Sequence, residues 1–296
     1  MEKRNCTLSL DKLNYFFKST HFSQHFSTIS ERPKIRLFSI DSFCKADVPK
    51  PNFIELPGCE PIPILYEDRS VLAIDKPCGW MLAPVSWRNT SRNLQAAIES
   101  SIAARDFWAR SRGLKFLRYV HRLDADTSGV LLFAKSPGAV KMFFGLFESR
   151  KMEKTYLAVV AGVPKQKEWT CRLKLAPDKK RFRKMKVNER FGKGSETHFK
   201  LLKTQGIFSL VEAKPVTGRT HQIRVHLAES GLPIVSDELY GKTLTRPSAT
   251  LSLSDRARDN LPLGLRAVRL AYVDPFTKRR VDIHAPTKKF LKEFGF

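Results

Sequence analysis

At 296 residues, with 42% hydrophobic and 10% aromatic side chains, the chain has ordinary globular composition, which excludes wholesale disorder and allows one large domain or two small ones. Its 53 Lys and Arg against 29 acidic residues leave a formal charge of +24; such a surface attracts polyanions, so nucleic acid is the first partner to consider, although a basic or ribosome-associated protein without chemistry carries similar charge. No apolar run reaches the roughly 20 residues that cross a bilayer and no secretory core is present, and the five cysteines form neither a Cys-x-x-Cys pair nor a zinc spacing, as expected of reduced thiols inside a cell.

Residues 1–50 are rich in Ser, Phe and His and mildly basic through Lys12, Lys18, Arg32, Lys34 and Arg36. A transit peptide has this look, but Glu2, Asp11 and Glu31 argue instead for an extension that wraps the domain or stays mobile. Pro49, Pro51, Pro57, Pro61 and Pro63 then suggest an extended linker. Residues 1–55 are expected to be extension and linker, and 56–296 one catalytic domain.

From Ile64 the pattern is regular. Val71–Asp75 predicts a buried strand and Lys76-Pro-Cys-Gly79 the turn after it. Leu94, Ile98 and Ile102 predict an amphipathic helix over Asn93–Arg110. Val130–Ala134 predicts a short strand, and Ser136-Pro137 the start of a helix that ends near Arg150 and carries Val140, Phe143, Phe144 and Phe147 on one face. Thr155–Val160, with Tyr156, Ala158 and Val160 on one face, and Phe208–Pro215 read as strands. Thr220 is placed to cap a helix through Ala228 that Gly231 stops, and Arg266–Val273 and Arg280–His284 read as closing strands. The fold class is α+β, with a mixed, mostly antiparallel sheet.

Four segments carry candidate chemistry. Tyr119-Val-His-Arg-Leu-Asp-Ala-Asp-Thr-Ser-Gly129 packs polar groups between apolar runs; it is either a rigid site loop or a turn in which Asp124 or Asp126 bonds backbone amides. Tyr156, at the start of an apolar strand, is either core or the wall of a base pocket. Pro215–His226 crowds Arg219, His221, Arg224 and His226 at a strand-to-helix junction, which suggests anion binding; His221 and His226, five apart, do not share a helix face as a metal pair does. Lys179–Lys186 holds six cations in eight residues, interrupted by Phe182 and Met185. It is either a solvated loop or an RNA-contacting hairpin that offers phosphate contacts with stacking groups between them.

Taken together, His121-Arg-Leu-Asp124 with Thr127-Ser-Gly129, Lys154-x-Tyr156, and Gly218-Arg-Thr-His-Gln-Ile-Arg224 resemble, in order, the three motifs of the RluA family of RNA pseudouridine synthases. Leu65-Tyr-Glu-Asp, Lys76-Pro-Cys-Gly, Lys184-Met185, Gly192-Lys193, Thr197, Gly231-Leu-Pro-Ile, Asp237 and Leu239-Tyr-Gly241 extend the likeness over roughly residues 60–290. Two features depart from it. Leu265-Arg-Ala267 stands where the family usually has Leu-His-Ala, and residues 1–50 do not resemble the small RNA-binding domain of many relatives.

The resemblance implies the pseudouridine synthase fold, its sheet flanked by helices around a central RNA-binding cleft. It implies isomerisation of specific uridines in structured RNA, ribosomal or transfer, by a flipped-base mechanism that uses no metal and no cofactor. Asp124 would be the catalytic nucleophile or base, Arg224 would pair with and aim its carboxylate, and Tyr156 would stack on the uracil. Arg122 would fill the space the base leaves. His121, Arg219, Lys179, Lys180, Arg181 and Arg183 complete the expected RNA contacts. The chain is expected to act as a monomer in the cytoplasm, or in a mitochondrion or plastid if residues 1–50 are a transit peptide.

Overall fold

The β-branched and apolar runs become strands of one long sheet in the computed structural model, which describes residues 49–82, 92–241 and 261–296. The transit-peptide reading of residues 1–50 falls almost wholly outside them. Twelve strands follow in chain order: β1 Phe53–Ile54, β2 Ile62–Glu67, β3 Val71–Lys76, β4 Arg118–Tyr119, β5 Ser128–Ala134, β6 Glu153–Ala161, β7 Glu168–Pro177, β8 Met185–Val187, β9 Lys193–Gln205, β10 Phe208–Pro215, β11 Leu265–Val273 and β12 Arg280–His284. Their spatial order is β1-β2-β3-β5-β11-β6-β10-β9-β7-β8, with β12 beside β11 and β4 beside β5. All these strands pair antiparallel except β5 and β11. The sheet is thus mixed and mostly antiparallel, as the sequence pattern predicts. Part of the proline-rich stretch expected as linker is sheet, because Phe53 and Ile54 pair with Pro63 and Ile62.

The parallel seam decides where a site can form. Ala267 of β11 lies opposite Gly129 of β5 and Tyr156 of β6, and Tyr156 lies opposite Ala213 of β10. One row across the sheet therefore joins Gly129, Ala267, Tyr156 and Ala213. At this level β5 has just begun and β10 has almost ended, so the loop entering β5 and the loop leaving β10 approach the row from opposite ends.

Helices cover both faces. Along β3, Leu72 and Ile74 meet Leu94, Ile98 and Trp108, while Val71 and Ala73 meet Phe143 and Tyr272. This two-sided burial is why the strand reads as a continuous apolar run rather than an alternating one. The helix expected over Asn93–Arg110 is two, α1 Leu94–Ala103 and α2 Phe107–Arg110. It breaks where Arg105 takes a left-handed φ of 58°, and the Ser101 hydroxyl bonds Asp106 and accepts the Trp108 indole N–H. The break turns Trp108 into the core.

Helix α3, Pro137–Glu148, starts as expected, with the Ser136 hydroxyl accepting the Ala139 N–H at 3.2 Å. Of the four residues expected on one face, Phe143 is fully buried, while Phe144 is 52% exposed and lines a cleft. Helix α4, Gln222–Glu229, begins at His221 in the left-handed region (φ 52°), with no side-chain cap, rather than at Thr220. A short α5, Lys288–Glu293, closes the chain.

Candidate active site

Asp124 stands on the loop that joins β4 to its antiparallel partner β5. Tyr119 pairs with Phe133, the Val120 N–H donates to Leu132 O at 3.1 Å, and Ser128 opens β5. The loop is filled from beneath by Lys76, whose side chain is fully buried and whose ammonium donates to the carbonyls of Pro77 (3.0 Å), Ala125 (2.8 Å) and Thr127 (2.9 Å). Burial pushes the Lys76 pKa from 10.5 down to about 8, against the opposing pull of Cys78, Asp126 and Asp124. An ammonium with all three donors met by loop carbonyls fixes the backbone on both sides of Asp126. His121 props the loop as well. Its Nε2 accepts the Leu132 N–H at 3.0 Å and its ring stacks on Phe147 at 4.7 Å. Burial, then the charge of Lys154, pushes its pKa to about 3, so this ring is neutral and offers RNA no cation. The Asp124 side chain keeps 25% exposure, and Arg122 and Asp126 are exposed.

The positive charge beside Asp124 comes from α4. The Gln222 amide locks the approach, accepting from the Thr217 hydroxyl (2.6 Å) and the Arg219 N–H (3.0 Å) and donating to Glu196 O and the Thr197 hydroxyl, each at 2.9 Å. Arg224, two residues on, places Nη1 3.7 Å from Asp124 Oδ2. That is an ion-pair distance, too long for a hydrogen bond. Its short bonds go to Asp237, Nε to Oδ2 at 2.8 Å and Nη2 to Oδ1 at 2.7 Å. The buried Asp237 carboxylate also accepts the N–H groups of Leu239 and Tyr240, both at 3.0 Å. Burial works against the Arg224 charge, but the bonds and charge of Asp237, with that of Asp124, more than offset it and raise its pKa. Asp237 thus aims the guanidinium, and Asp124 receives its charge with its own oxygens left open.

Tyr240 closes the ring of contacts. Its hydroxyl accepts the Met185 N–H at 2.7 Å and bonds His221 Nδ1 at 2.9 Å, and its ring lies 5.3 Å from the Arg224 guanidinium. Burial lowers the His221 pKa, with Asp124 opposing and Arg224 assisting. The tautomer that satisfies both neighbours has the Tyr240 O–H donating to Nδ1 and the Nε2–H facing Asp124 Oδ1, 3.9 Å away.

Tyr156 forms the floor. Burial, then the Asp124 charge, raises its phenol pKa far above the ordinary value, so it is a neutral hydroxyl and a flat face rather than a phenolate. Lys154 reaches the same space; its ammonium donates to Thr217 O at 3.0 Å, and burial pushes its pKa to about 8. Asp124, Tyr156 and Arg224 share a cavity of about 480 Å³, with Arg122 and Arg219 also lining it and Phe144 and Phe147 on one wall. That volume suits a single flipped nucleotide better than a duplex groove.

The remaining expected contacts lie elsewhere. Lys179, Lys180, Arg181 and Arg183 occupy the exposed turn that joins β7 to β8. The hairpin reaches Tyr240 through the Met185 N–H and through Lys184, whose ammonium lies 5.2 Å from the Tyr240 ring, and Tyr240 in turn touches His221 and Arg224 of the cavity wall. His226 is core, its Nε2 bonded to the Ser195 hydroxyl at 2.8 Å. Arg266, where the family pattern has His, is a brace: it donates to Asp75 Oδ2 (2.6 Å), the Ser128 hydroxyl (3.1 Å) and Pro286 O (3.0 Å), binding β3 to the start of β5.

The sequence motifs assign no role to Asp237, Tyr240, Lys76 or Lys154. A lysine at the end of a buried strand and an aspartate shortly after an apolar Leu-Pro-Ile were the available signals; both are residues that stay buried only when paired.

A family model described as RNA pseudouridylate synthase matches residues 70–229. Ribosomal large subunit pseudouridine synthase C of Buchnera aphidicola subsp. Schizaphis graminum is 33% identical over 239 residues, covering 78% of this chain and 69% of that protein. Among solved structures, Human RNA Pseudouridylate Synthase Domain Containing 1 is similar with a TM-score of 0.58 and 26% identity, over 76% of this chain and 83% of that one. Human RNA Pseudouridylate Synthase Domain Containing 4 has a TM-score of 0.60 at 22% identity, over 78% and 92%, a likeness of fold alone.

Proposed function

The chain belongs to the RNA pseudouridylate synthase family and is an RNA pseudouridine synthase, an isomerase, and on that premise we propose that Asp124 is its catalytic carboxylate and large-subunit ribosomal RNA its substrate. The observation that carries the first part is the shared cavity, on which three segments far apart in sequence converge Asp124, Tyr156 and Arg224. The second part follows the substrate named in the Buchnera relative, and the charge of +24 suits a polyanion of any sequence.

The reaction breaks the bond from ribose C1′ to uracil N1 and joins C1′ to C5. N1 ends with a proton and C5 loses one, so nothing is oxidised and no group departs. A stacked base must first be flipped out at a cost of a few kcal/mol, with Arg122 at the rim placed to fill the gap and stack there. Tyr156 takes the uracil face, and its un-ionised hydroxyl can donate or relay a proton. Asp124 acts on the sugar side as nucleophile or as base, with the Arg224 charge at 3.7 Å complementing the carboxylate.

Chemical mapping of pseudouridines in cells with and without the gene tests the substrate. We expect one or more large-subunit ribosomal positions to lose their signal when the gene is removed. An intact ribosomal map with losses confined to transfer RNA would reject the ribosomal reading and leave the isomerase standing.

A further inference from the structure

Phe182 and Phe191, at 78% and 73% exposure, are the most exposed large apolar side chains among the described residues. Neither sits on a slack loop. They occupy the two turns that flank the three-residue strand β8. In the first turn the Asp178 carboxylate accepts the Lys180 N–H at 3.1 Å, the Asp178 N–H donates to Lys184 O at 2.7 Å, and Arg183 takes a left-handed φ of 63°. In the second the Asn188 side chain accepts the N–H groups of Arg190 (3.1 Å) and Phe191 (2.9 Å). A Cβ on Gly192 there would meet Asn188 O at 2.4 Å and the Lys174 backbone at 2.6 Å, so the turn requires glycine. Each ring is paired with the arginine beside it, Arg183 at 5.6 Å from the Phe182 centroid and Arg190 at 5.0 Å from that of Phe191. The same construction thus occurs twice: a stiff turn, an outward ring and a cation against it.

We propose that the two turns form a stacking strip for unpaired RNA, in which Phe182 and Phe191 each take the face of a base and Arg183 and Arg190 hold the adjoining phosphates. A ring can stack only on a base whose face is free, so the strip selects single-stranded segments over continuous duplex. Placement fits a substrate strand that leaves the cavity. The Met185 N–H is bonded to Tyr240, which touches His221 and Arg224, and Phe182 is three residues from Met185, at most about 10 Å of extended chain. The preferred substrate then carries its target uridine in a loop or strand with unpaired neighbours. The proposal rests on the reading that the basic hairpin meets RNA.

The test is binding of the full-length protein to a hairpin RNA with a uridine-containing unpaired loop and to a fully paired duplex of equal length, across a salt series. Phe182→Ala and Phe191→Ala should each weaken loop binding by about 5- to 150-fold, the range for one lost base stack. Duplex binding should change less than about twofold on the same stacking argument, the salt slope should stay unchanged because no cation is lost, and Phe→Trp should restore loop affinity. Equal loss on loop and duplex, no loss on either, or a fall in the melting temperature of the free protein that accounts for the loss, as when the chain's own residues cover the rings, would overturn the strip. Alanine at Lys179, Lys180, Arg181 and Arg183 together separates the two readings. If it flattens the salt slope while the Phe variants bind normally, only the strip fails; an unchanged slope removes the hairpin from RNA and the strip with it.

Discussion

At the scale of single residues, the site is built by groups that hold other groups. Asp237 takes both short bonds of Arg224, and Lys76 gives all three of its donors to the backbone around the Asp124 loop. Lys76 is retained against a burial penalty, and that penalty has a pH signature. Its folded pKa of about 8 lies below the ordinary 10.5. Between these values the unfolded chain holds a proton that the folded one has released, so stability rises with pH across that window. Relative to Lys76→Met, the wild type should therefore gain up to about 3 kcal/mol between pH 8 and 10.5, and the variant should lose turnover at every pH because the loop carbonyls lose their donors. Urea midpoints of both proteins at pH 7.5 and pH 10 check the first point; parallel curves would mean the ammonium is not buried as described.

At the scale of elements, the parallel contact between β5 and β11 is the critical joint. Gly129 has a φ of 112°, and a Cβ there would lie 2.0 Å from Ala267 O. Gly129→Ala must either part the two strands or move the loop that carries Asp124, and should cost at least about 2 kcal/mol along with most of the activity. Gly145, inside α3 with open space around its Cβ position, is the contrast: Gly145→Ala should stabilise by about 0.5–1 kcal/mol. The two urea midpoints, measured side by side, should move in opposite directions. The strands were readable because local pattern decides them. The break in the 93–110 helix was not, because a long-range need to bury Trp108 overrides a periodicity that runs on through Ile102. Phe144 shares its helical stripe with the buried Phe143, and the stripe alone does not say which of its members faces a cleft.

At the scale of the whole molecule, three motifs remote in sequence come onto one cavity because a single row crosses Gly129, Ala267, Tyr156 and Ala213. The motif residues themselves were legible as Asp124, Tyr156 and Arg224. Their supports were not: Asp237 is distinguished from any other aspartate only by a partner thirteen residues earlier, and Tyr240 only by touching two elements remote from each other in the chain, β8 at Met185 and α4 at His221 and Arg224. The central claim is that Asp124, rather than its neighbour Asp126, performs the chemistry. Asp→Asn keeps the shape and removes the charge and the basic oxygen, so a group that acts in the transition state loses turnover but not binding. The direct measurement is tritium release from carbon 5 of labelled uridine in RNA, with filter binding alongside. Asp124→Asn should release no tritium while binding RNA within about tenfold of wild type, and Asp126→Asn, altered only at an exposed position, should keep most of its activity; normal turnover by Asp124→Asn with a dead Asp126→Asn would contradict the account.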